Sequence, residues 1–303
     1  LSETVDAIVY DESFSGIIEE VNENYNSKVK VIAQYSIETE SDASQLVQGK
    51  AAKVDVKDET FSMYISGIDV YGPVSSKSRS DVNIIATVNP KTKQILLTST
   101  PRDYYVTIPG VSGDSRDKLT HAGIYGVDKS MATLENLYGI EIPFYARVNF
   151  TSLITMVDSM GGVDVNSEYA FSTNGDGGAV ISVQQGMNHF NGKQALAFAR
   201  ERYNVPGGDN QRGKNQMAVI QAMFNKMITP EMLVKAPSLI SEVSDSVETN
   251  MSMDQIQKLI QSQLNSGGTW TMKSVAAEGT GDSQYCYSMP ETALYVMQPD
   301  QTS

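Results

Sequence analysis

The 303-residue chain has one cysteine, Cys286, and two histidines, His121 and His189. A single cysteine excludes an internal disulfide and a cysteine-rich zinc site. The two histidines are too few and too widely separated to make a zinc site or a nucleophilic triad. No stretch approaches the roughly 18 consecutive apolar residues that a membrane-spanning helix needs. The chemistry of the chain must therefore rest on other residue types.

Positive charge is also scarce, because 36 Asp and Glu oppose 23 Lys and Arg, for a net charge of -13. The deficit lies at the two ends: residues 1–60 carry 13 acidic and 5 basic side chains, and residues 230–303 carry 9 and 3. Residues 61–229, with 14 and 15, are nearly neutral. So acidic a chain disfavours binding to nucleic acid or to an anionic membrane surface, since phosphate affinity comes mainly from basic surface. We expect no nucleic-acid partner, and no basic helix-turn-helix pattern supports a DNA-binding regulator.

The hydrophobic content of 40% and the length predict a globular protein with one large domain and an appendage, or two domains. The polar run that ends near Glu59 is typical of a linker, so we assign residues 1–58 to an accessory region and 59–303 to the main domain. The first residue is Leu and no signal peptide is present. We therefore expect the chain to be a fragment from which a targeting segment has been removed.

In the main domain, β-rich runs alternate with helical patterns. The run SDVNIIATVNPKTKQILLTST predicts a hairpin that turns at residues 89–92. The run VDKSMATLENLYG predicts a helix with Asp128 as its N-cap and Gly139 as its stop. This alternation predicts an α/β fold in which helices flank a central mixed sheet, as an α-β-α sandwich.

The stretch FARERYNVPGGDNQRGKNQ concentrates positive charge in the neutral middle of the chain. Its charged residues are Arg200, Arg202, Arg212 and Lys214, against Glu201 and Asp209. On the helix predicted from Asp209 to about Ile228, Arg212 and Gln216 share the stripe expected to face the core. A buried charge needs a partner, and two partners are possible for Arg212. One is a protein carboxylate, and the other is a ligand phosphate bound by the planar guanidinium through two hydrogen bonds.

Two further segments place charged side chains where strands end. GIDVYGPVSSKSRSD contains Asp69, Arg79 and Asp81, and STPRD places Arg102 and Asp103 directly after a strand. Loops at strand ends are where α/β sheets build their ligand sites. Two carboxylates with phosphate oxygens would suit Mg²⁺, which prefers oxygen ligands. Simple turn or capping roles for the Asp pair are the alternative.

Together with DKLTHAGIYG and MVDSMGGVDV, these segments occur in the order found in the LytR-CpsA-Psr family of cell-wall assembly proteins, which the chain resembles over about residues 60–229. The accessory region resembles that of capsule-associated members. The resemblance implies an extracytoplasmic enzyme, anchored in the membrane by an N-terminal segment absent from this chain. Such enzymes transfer a glycopolymer from a polyisoprenyl pyrophosphate carrier to a peptidoglycan hydroxyl, and we expect capsular polysaccharide as the cargo.

The resemblance also implies roles for particular residues. Asp69 and Asp81 correspond to Mg²⁺ ligands. The positions that correspond to the pyrophosphate site, with Lys118 at its rim, are Arg79, Arg102, Arg200, Arg202, Arg212 and Gln216. Many members have arginine where this chain has Asn215, and His121 lies in a segment that departs from the family pattern and inherits no role.

Some questions stay open at this stage. The base that activates the acceptor hydroxyl is Asp69 or Asp103, with Arg102 stabilising charge beside it. The helices at residues 128–138, 151–160 and 217–228 have apolar side chains that would suit a prenyl chain, although the same residues would suit an ordinary core. Phosphoryl transfer asks a protein mainly for positioning and charge stabilisation. A sensor that binds the lipid phosphate without catalysis would need the same arginines, and is the alternative function.

Overall fold

In a computed structural model of the chain, the structure describes residues 7–11, 30–35, 47–68, 77–175, 178–243 and 247–300. The chain divides into two compact units, residues 1–46 and 47–303. In the first unit, strands Ala7–Asp11 (β1) and Lys30–Tyr35 (β2) pair in parallel. The division falls inside the predicted polar linker, which begins at residue 38 and ends near Glu59, and the second unit includes a helical segment at residues 47–53.

The strands of the second unit are β3 (Phe61–Ile68), β4 (Ser80–Asn89), β5 (Gln94–Ser99), β6 (Tyr105–Val106), β7 (Asp117–Lys118), β8 (Phe144–Val148), β9 (Val163–Ser167), β10 (Phe171–Ser172), β11 (Ser182–Val183), β12 (Gly186–Phe190), β13 (Val247–Thr249), β14 (Thr271–Ala276), β15 (Gly279–Cys286) and β16 (Met289–Pro299). Its helices are α1 (Leu119–Ala122), α2 (Val127–Tyr138), α3 (Phe150–Ser159), α4 (Gly192–Arg200), α5 (Asp209–Met227), α6 (Pro230–Val243) and α7 (Met253–Ser266). None of the helices in the described ranges is long and apolar enough to cross a membrane.

Six strands form a mixed sheet in the order β13-β8-β3-β4-β5-β14. The strands β3, β4 and β5 form an antiparallel meander, and β8 and β14 join its two edges in parallel. The predicted hairpin is the β4–β5 connection, in which Lys93 adopts a positive φ of 54°. The sequence thus predicted the centre of the sheet correctly.

Consecutive residues of β4 point to opposite faces of the sheet, and each face carries its own core. Ile85 packs with Leu119 and Leu134 of α1 and α2. Ile84 packs on the other face with Met217 of α5. The predicted α-β-α sandwich is therefore confirmed. Because α2 and α5 lie on opposite faces of the sheet, their apolar side chains belong to separate cores, and a prenyl site stays a prediction.

The two ends of α2 test the capping predictions. Gly139 follows the helix with a φ of 64°, and its N–H donates to the Glu135 carbonyl, so the predicted stop is confirmed. The predicted N-cap is wrong, because the helix begins at Val127 and Gly126 occupies the cap position with a φ of 121°. Asp128 instead lies in the first turn, where a carboxylate favours the helix dipole.

The antiparallel hairpin of β15 and β16 is fastened to the domain by Asp117, a fully buried carboxylate. One of its oxygens lies 2.6 Å from His121 Nδ1, and the other accepts the Ser288 N–H at 2.9 Å. The Lys118 N–H and the Ser288 hydroxyl also donate to it. Burial raises the pKa of Asp117, but His121 and these donors outweigh burial and bring the pKa below its ordinary value of 3.8.

We expect Asp117→Ala to destabilise the protein by about 3 to 5 kcal/mol, because it leaves His121 and several buried donors without their acceptor. Since the pKa of Asp117 is lower in the folded than in the unfolded state, its contribution is present above pH 3.8 and is lost as the pH falls through the folded-state pKa. Urea unfolding of Asp117→Asn should show a weaker dependence on pH over that range. The matched control is Asp114→Asn, in the same loop but exposed. Equal stability of Asp117→Ala and this control would contradict the role of Asp117.

Candidate active site

A cleft of about 540 Å³ opens where several elements of the second unit end. Its walls are the start of β4, the turn after β5, the first turns of α5 and the segment that joins β14 to β15. Four of the residues that the family resemblance assigned to the site line it: Asp81, Arg102, Arg212 and Gln216. The predicted convergence of strand ends and arginine-rich helix is therefore observed.

Arg102 lies between two carboxylates. Its Nη1 donates to Asp81 Oδ1 at 3.0 Å, and its Nε lies 3.7 Å from Asp103 Oδ2. Burial lowers the pKa of Arg102, but Asp81, Asp103 and Asp209 together outweigh burial and raise it above the ordinary value. The Nε atom is buried and has no hydrogen-bond partner within the described residues. The guanidinium is thus fixed in place and permanently charged.

Backbone hydrogen bonds hold the turn that carries Arg102 and Asp103. The Thr100 N–H donates to the Asn83 carbonyl at 2.8 Å, and the Thr120 N–H donates to the Arg102 carbonyl at 2.9 Å. The Asp103 carbonyl accepts the Met297 N–H at 2.8 Å. Three separate parts of the chain therefore determine the position of this turn.

Lys118 and Asp103 lie beside the cleft, next to Arg102. The Lys118 Nζ donates to Asp103 Oδ1 at 2.9 Å, and both side chains are mostly buried. The Asp103 carboxylate is thus occupied by two cations. This geometry suits Asp103 for positioning Arg102 and Lys118, and its role as a general base stays a prediction.

Arg212 is paired with a protein carboxylate, which is one of the two partners that the sequence analysis left open. Its Nη2 lies 2.8 Å from Asp209 Oδ1, one helical turn earlier, and only 12% of the Arg212 side chain is exposed. Burial, the largest effect, lowers the pKa of Arg212; Asp209 and Asp81 raise it and Arg102 and Arg202 lower it, so that the pKa stays below its ordinary value. Arg212 is thus a largely buried guanidinium on the cleft wall, where Arg102 also lies.

The stripe predicted for α5 faces a core in part: Ile220 and Phe224 pack against the sheet, whereas Arg212 and Gln216 line the cleft. The most buried stripe of the helix contains Gln211, Asn215, Val219 and Ala222, and Arg212 lies beside it on the wall of the cleft. Asn215 bonds to Gln211 and donates to the Phe198 carbonyl at 3.3 Å. Asn215 thus supports the packing of α5 against α4.

A buried carboxylate, Glu201, shapes the loop that carries Arg202. Its two oxygens accept the backbone N–H groups of Asn174, Arg202, Tyr203 and Asn204 at 2.6 to 3.0 Å. The Arg202 side chain lies over the Tyr203 ring and donates to its hydroxyl at 2.7 Å. Sequence reasoning missed this role of Glu201, because a carboxylate among arginines suggests ion pairs rather than backbone acceptors.

Other predicted site residues are placed differently. The guanidinium of Arg200 lies 4.2 Å from the centre of the Phe150 ring, at the start of α3. Arg79 is exposed, directly before β4. Neither lines the cleft wall described above, so their assignment to a pyrophosphate site stays a prediction. Asp69 lies outside the described residues.

Asp81 is the described residue that suits a Mg²⁺ ion. Its Oδ1 accepts hydrogen bonds from Arg102 and from the Thr120 hydroxyl, at 3.0 and 3.2 Å. The described ranges contain no group of three or more acidic, histidine or cysteine side chains able to hold a metal. Mg²⁺ needs only one or two carboxylates when phosphate oxygens and water complete its shell. The donor set of the cleft therefore fits Mg²⁺ only together with a bound phosphate.

Comparisons with known proteins agree on one family. The model of the LytR_cpsA_psr family matches residues 24–303. The chain is 34% identical to the polyisoprenyl-teichoic acid–peptidoglycan teichoic acid transferase TagU of Enterococcus faecalis, over 78% of this chain and 76% of that protein. It is 31% identical to TagV of Bacillus subtilis, which carries the same description, over 82% of this chain and 63% of that protein.

Solved structures give the same result for the fold. The structure of Bacillus subtilis TagV covers 81% of this chain and 93% of its own, with a TM-score of 0.67 and 28% identity. The structure of TagT bound to LI-WTA covers 82% of this chain and 88% of its own, with a TM-score of 0.64 and 26% identity.

The ion pair of Arg212 and Asp209 predicts opposite effects on anion binding for its two members. We expect Arg212→Gln to weaken the binding of inorganic pyrophosphate about tenfold or more, because a charged hydrogen bond contributes about 1.5 to 3 kcal/mol. Asp209→Asn should strengthen binding, since it removes a carboxylate that competes for Arg212. Titration calorimetry with pyrophosphate measures both.

The control for net charge is Lys235→Gln, on the exposed part of α6, which should bind pyrophosphate like the wild type. Wild-type affinity in folded Arg212→Gln, or weaker binding in Asp209→Asn, would show that the cleft does not hold the anion through Arg212.

Proposed function

The chain belongs to the LytR-CpsA-Psr family, and on this basis we propose that it is a transferase that moves a glycopolymer from a polyisoprenyl pyrophosphate to a peptidoglycan hydroxyl. The observation that carries the proposal is the state of Arg212. It is nearly buried, faces the cleft with Arg102, and has a lowered pKa although Asp209 is in contact with it. A cleft of this size with two guanidinium groups on its walls suits a pyrophosphate group.

The proposed reaction is a phosphoryl transfer. An acceptor hydroxyl oxygen attacks the phosphorus that bears the glycan, and the bond from that phosphorus to the bridging oxygen breaks. The hydroxyl loses its proton, the glycan becomes linked through a phosphodiester, and polyisoprenyl phosphate leaves with the electron pair. Such a reaction needs charge stabilisation and alignment more than covalent help from the protein.

In the proposed reaction, the residues of the cleft and its surroundings have separate roles in binding the pyrophosphate and stabilising charge. Arg102, fixed by Asp81 and Asp103, presents a rigid guanidinium to the non-bridging oxygens, where charge changes during transfer. Arg212 and Gln216 bind the pyrophosphate from the α5 side of the cleft. Lys118 adds a charge behind Arg102, and Arg202, Arg200 and Arg79 extend the positive region in the proposal. For proton removal, Asp69 and Asp103 remain the candidates.

Mg²⁺ would be held by Asp81, with Asp69 as the second ligand implied by the family, and by the phosphate oxygens. When bound, the ion would neutralise charge on the pyrophosphate. The Asp81 carboxylate already accepts from Arg102 and Thr120, which fixes its orientation before any cation arrives.

The donor and the location follow from the relatives and from the acceptor. The relatives are named for teichoic acid, so we propose a teichoic acid precursor as the first donor to test, ahead of the capsular polysaccharide expected from the accessory region. Peptidoglycan lies outside the cell membrane, so the cleft must face outward, and an anchor that precedes this chain would keep it near the lipid. For the prenyl chain we propose the apolar side chains shared by α3 and α5, among them Leu153, Met156 and Met223.

Asp81→Asn separates a metal ligand from a structural carboxylate. The substitution keeps the shape and leaves Asp103 beside Arg102, so we expect a loss of stability of only about 1 kcal/mol. Turnover with Mg²⁺ should fall at least about a hundredfold. Electron paramagnetic resonance of Mn²⁺ with inorganic pyrophosphate should show weaker metal binding. If the variant has wild-type Mn²⁺ binding and turnover, Asp81 is not a metal ligand, and its role is limited to the ion pair with Arg102.

The transfer assay separates an enzyme from a sensor. Supplied with a short polyprenyl-pyrophosphate glycan, peptidoglycan oligomers and Mg²⁺, the protein should release polyprenyl phosphate and form a phosphodiester-linked product. Arg102→Lys keeps the charge but loses the planar fork, so we expect kcat to fall about a hundredfold with a smaller change in donor affinity. Tight donor binding without product, from any wall-derived acceptor, would favour the sensor.

A further inference from the structure

The hairpin of β15 and β16 has one exposed face that carries tyrosines. Its register pairs Ser283 with Tyr295 and Tyr285 with Ala293, so both tyrosines lie on the same face. Their side chains are large and exposed, at 53% for Tyr295 and 61% for Tyr285. The opposite face carries Cys286 and Val296, which are buried against the domain. We call the residues of the exposed face, Gly281, Ser283, Tyr285, Ala293 and Tyr295, the tyrosine face.

The tyrosine face continues directly from the cleft. Met297 and Gly279 line the cleft wall, and the Met297 N–H donates to the carbonyl of Asp103, next to Arg102. Tyr295 lies two residues from Met297 on the same side of the strand, about 7 Å along it, and the Tyr285–Ala293 pair lies about 13 Å along it. A polymer with one residue at the cleft would therefore run over these rings.

The surface between the rings is flat. Gly281 has no side chain, and the ring of Tyr295 lies over it, so that a Cβ there would come within 3.1 Å of the ring. Ser283 and Ala293 are the small neighbours. The Tyr285 carbonyl accepts the Tyr105 hydroxyl at 2.8 Å, which fixes the backbone while the Tyr285 ring remains exposed. Covering a glycine explains the position of Tyr295. It does not explain an exposed Tyr285 ring beside it.

Exposed, rigid aromatic rings on a flat surface suit sugar rings. The axial C–H groups of a pyranose form an apolar face that packs on an aromatic ring, and tyrosine adds a hydroxyl at the edge for the sugar hydroxyls. A patch of this kind beside a reactive cleft marks a binding surface more often than chance exposure.

Charge decides which glycan fits. From residue 274 to 303 the chain has no Lys or Arg, whereas Glu278, Asp282, Glu291 and Asp300 are acidic. A phosphate-rich donor polymer would be repelled along this hairpin. The amino-sugar backbone of a peptidoglycan strand carries no phosphate and would not be.

We propose that the tyrosine face is the acceptor site, on which a peptidoglycan glycan strand lies with one sugar hydroxyl directed to the cleft. This inference rests on the proposed function for the identity of the acceptor. Binding of a sugar polymer to the face does not depend on catalysis, so the two are tested separately.

The experiment compares the double variant Tyr285→Ala/Tyr295→Ala with the control Tyr287→Ala. Tyr287 is a tyrosine of the same hairpin with 45% exposure, but it lies in the turn, outside the paired positions of the face. Binding is measured by NMR titration with a β-1,4-linked N-acetylglucosamine tetramer and, separately, with soluble poly(glycerol phosphate). Transfer kinetics are measured with donor and acceptor varied in turn.

We expect the wild type and Tyr287→Ala to bind the tetramer. The double variant should bind it with an affinity lower by at least about tenfold. The KM for peptidoglycan should rise by a similar factor, while kcat and the KM for the lipid donor stay unchanged. Tyr285→Phe/Tyr295→Phe, which keeps both rings, should retain most of the binding. If the double alanine variant does not fold, Tyr285→Ala alone serves, because Tyr285 is the more exposed of the two tyrosines.

Three results would overturn the inference. The first is transfer by the double variant with a wild-type KM for peptidoglycan, which leaves the proposed function intact. The second is binding of poly(glycerol phosphate), rather than the tetramer, to the tyrosine face, which would make it a donor surface. The third is equal loss in Tyr287→Ala. Tetramer binding by the face in a protein without transferase activity would instead support the inference and contradict the proposed function.

Discussion

The pairing of Arg102 with Asp81 and Asp103 is the constraint on which the site depends. A guanidinium in a partly buried turn needs carboxylates, and these come from β4 and from the turn itself. The same turn receives hydrogen bonds from Thr120 and Met297, so the ion pairs fix the cleft relative to α1 and to the β15–β16 hairpin. Arg212 on α5 then lies largely buried on the wall of the same cleft, and burial is the main reason for its lowered pKa. The fold thus positions these guanidinium groups before an anion binds, so that little reorganisation is needed on binding.

The sequence predicted the parts of this arrangement that depend on local pattern. Alternating apolar residues gave the β4–β5 hairpin, and the left-handed conformation required at Gly139 gave the end of α2. Ordered motifs placed Asp81, Arg102, Arg212 and Gln216 at one site, and they do line one cleft. Asp209 and Arg212 are three residues apart on a helix, a spacing that favours an ion pair. The sequence analysis nevertheless left the partner of Arg212 open.

What the sequence did not predict depends on contacts between distant segments. The N-terminal part of the α5 stripe was misplaced because periodicity cannot tell a stripe in the core from one on a cleft wall, and the nearly buried Arg212 resembles both. The role of Glu201 was missed because its partners are backbone N–H groups, which every residue except proline has and which the sequence therefore cannot identify. The role of Asp117 in fastening Ser288 joins segments 171 residues apart, and no local pattern contains it. The tyrosine face likewise needs the register of β15 and β16, which places two rings on one side.

The parallel pairing of β14 with β5 has a consequence for how the protein is made. β14 joins the sheet only after about 170 intervening residues, and the segment that follows it supplies a wall of the cleft. Long-range parallel pairing is slow because the intervening chain must be ordered before the contact forms. A partly synthesised chain in which residues 271–297 are not yet available lacks this wall. The cleft is therefore among the last features of the domain to be completed.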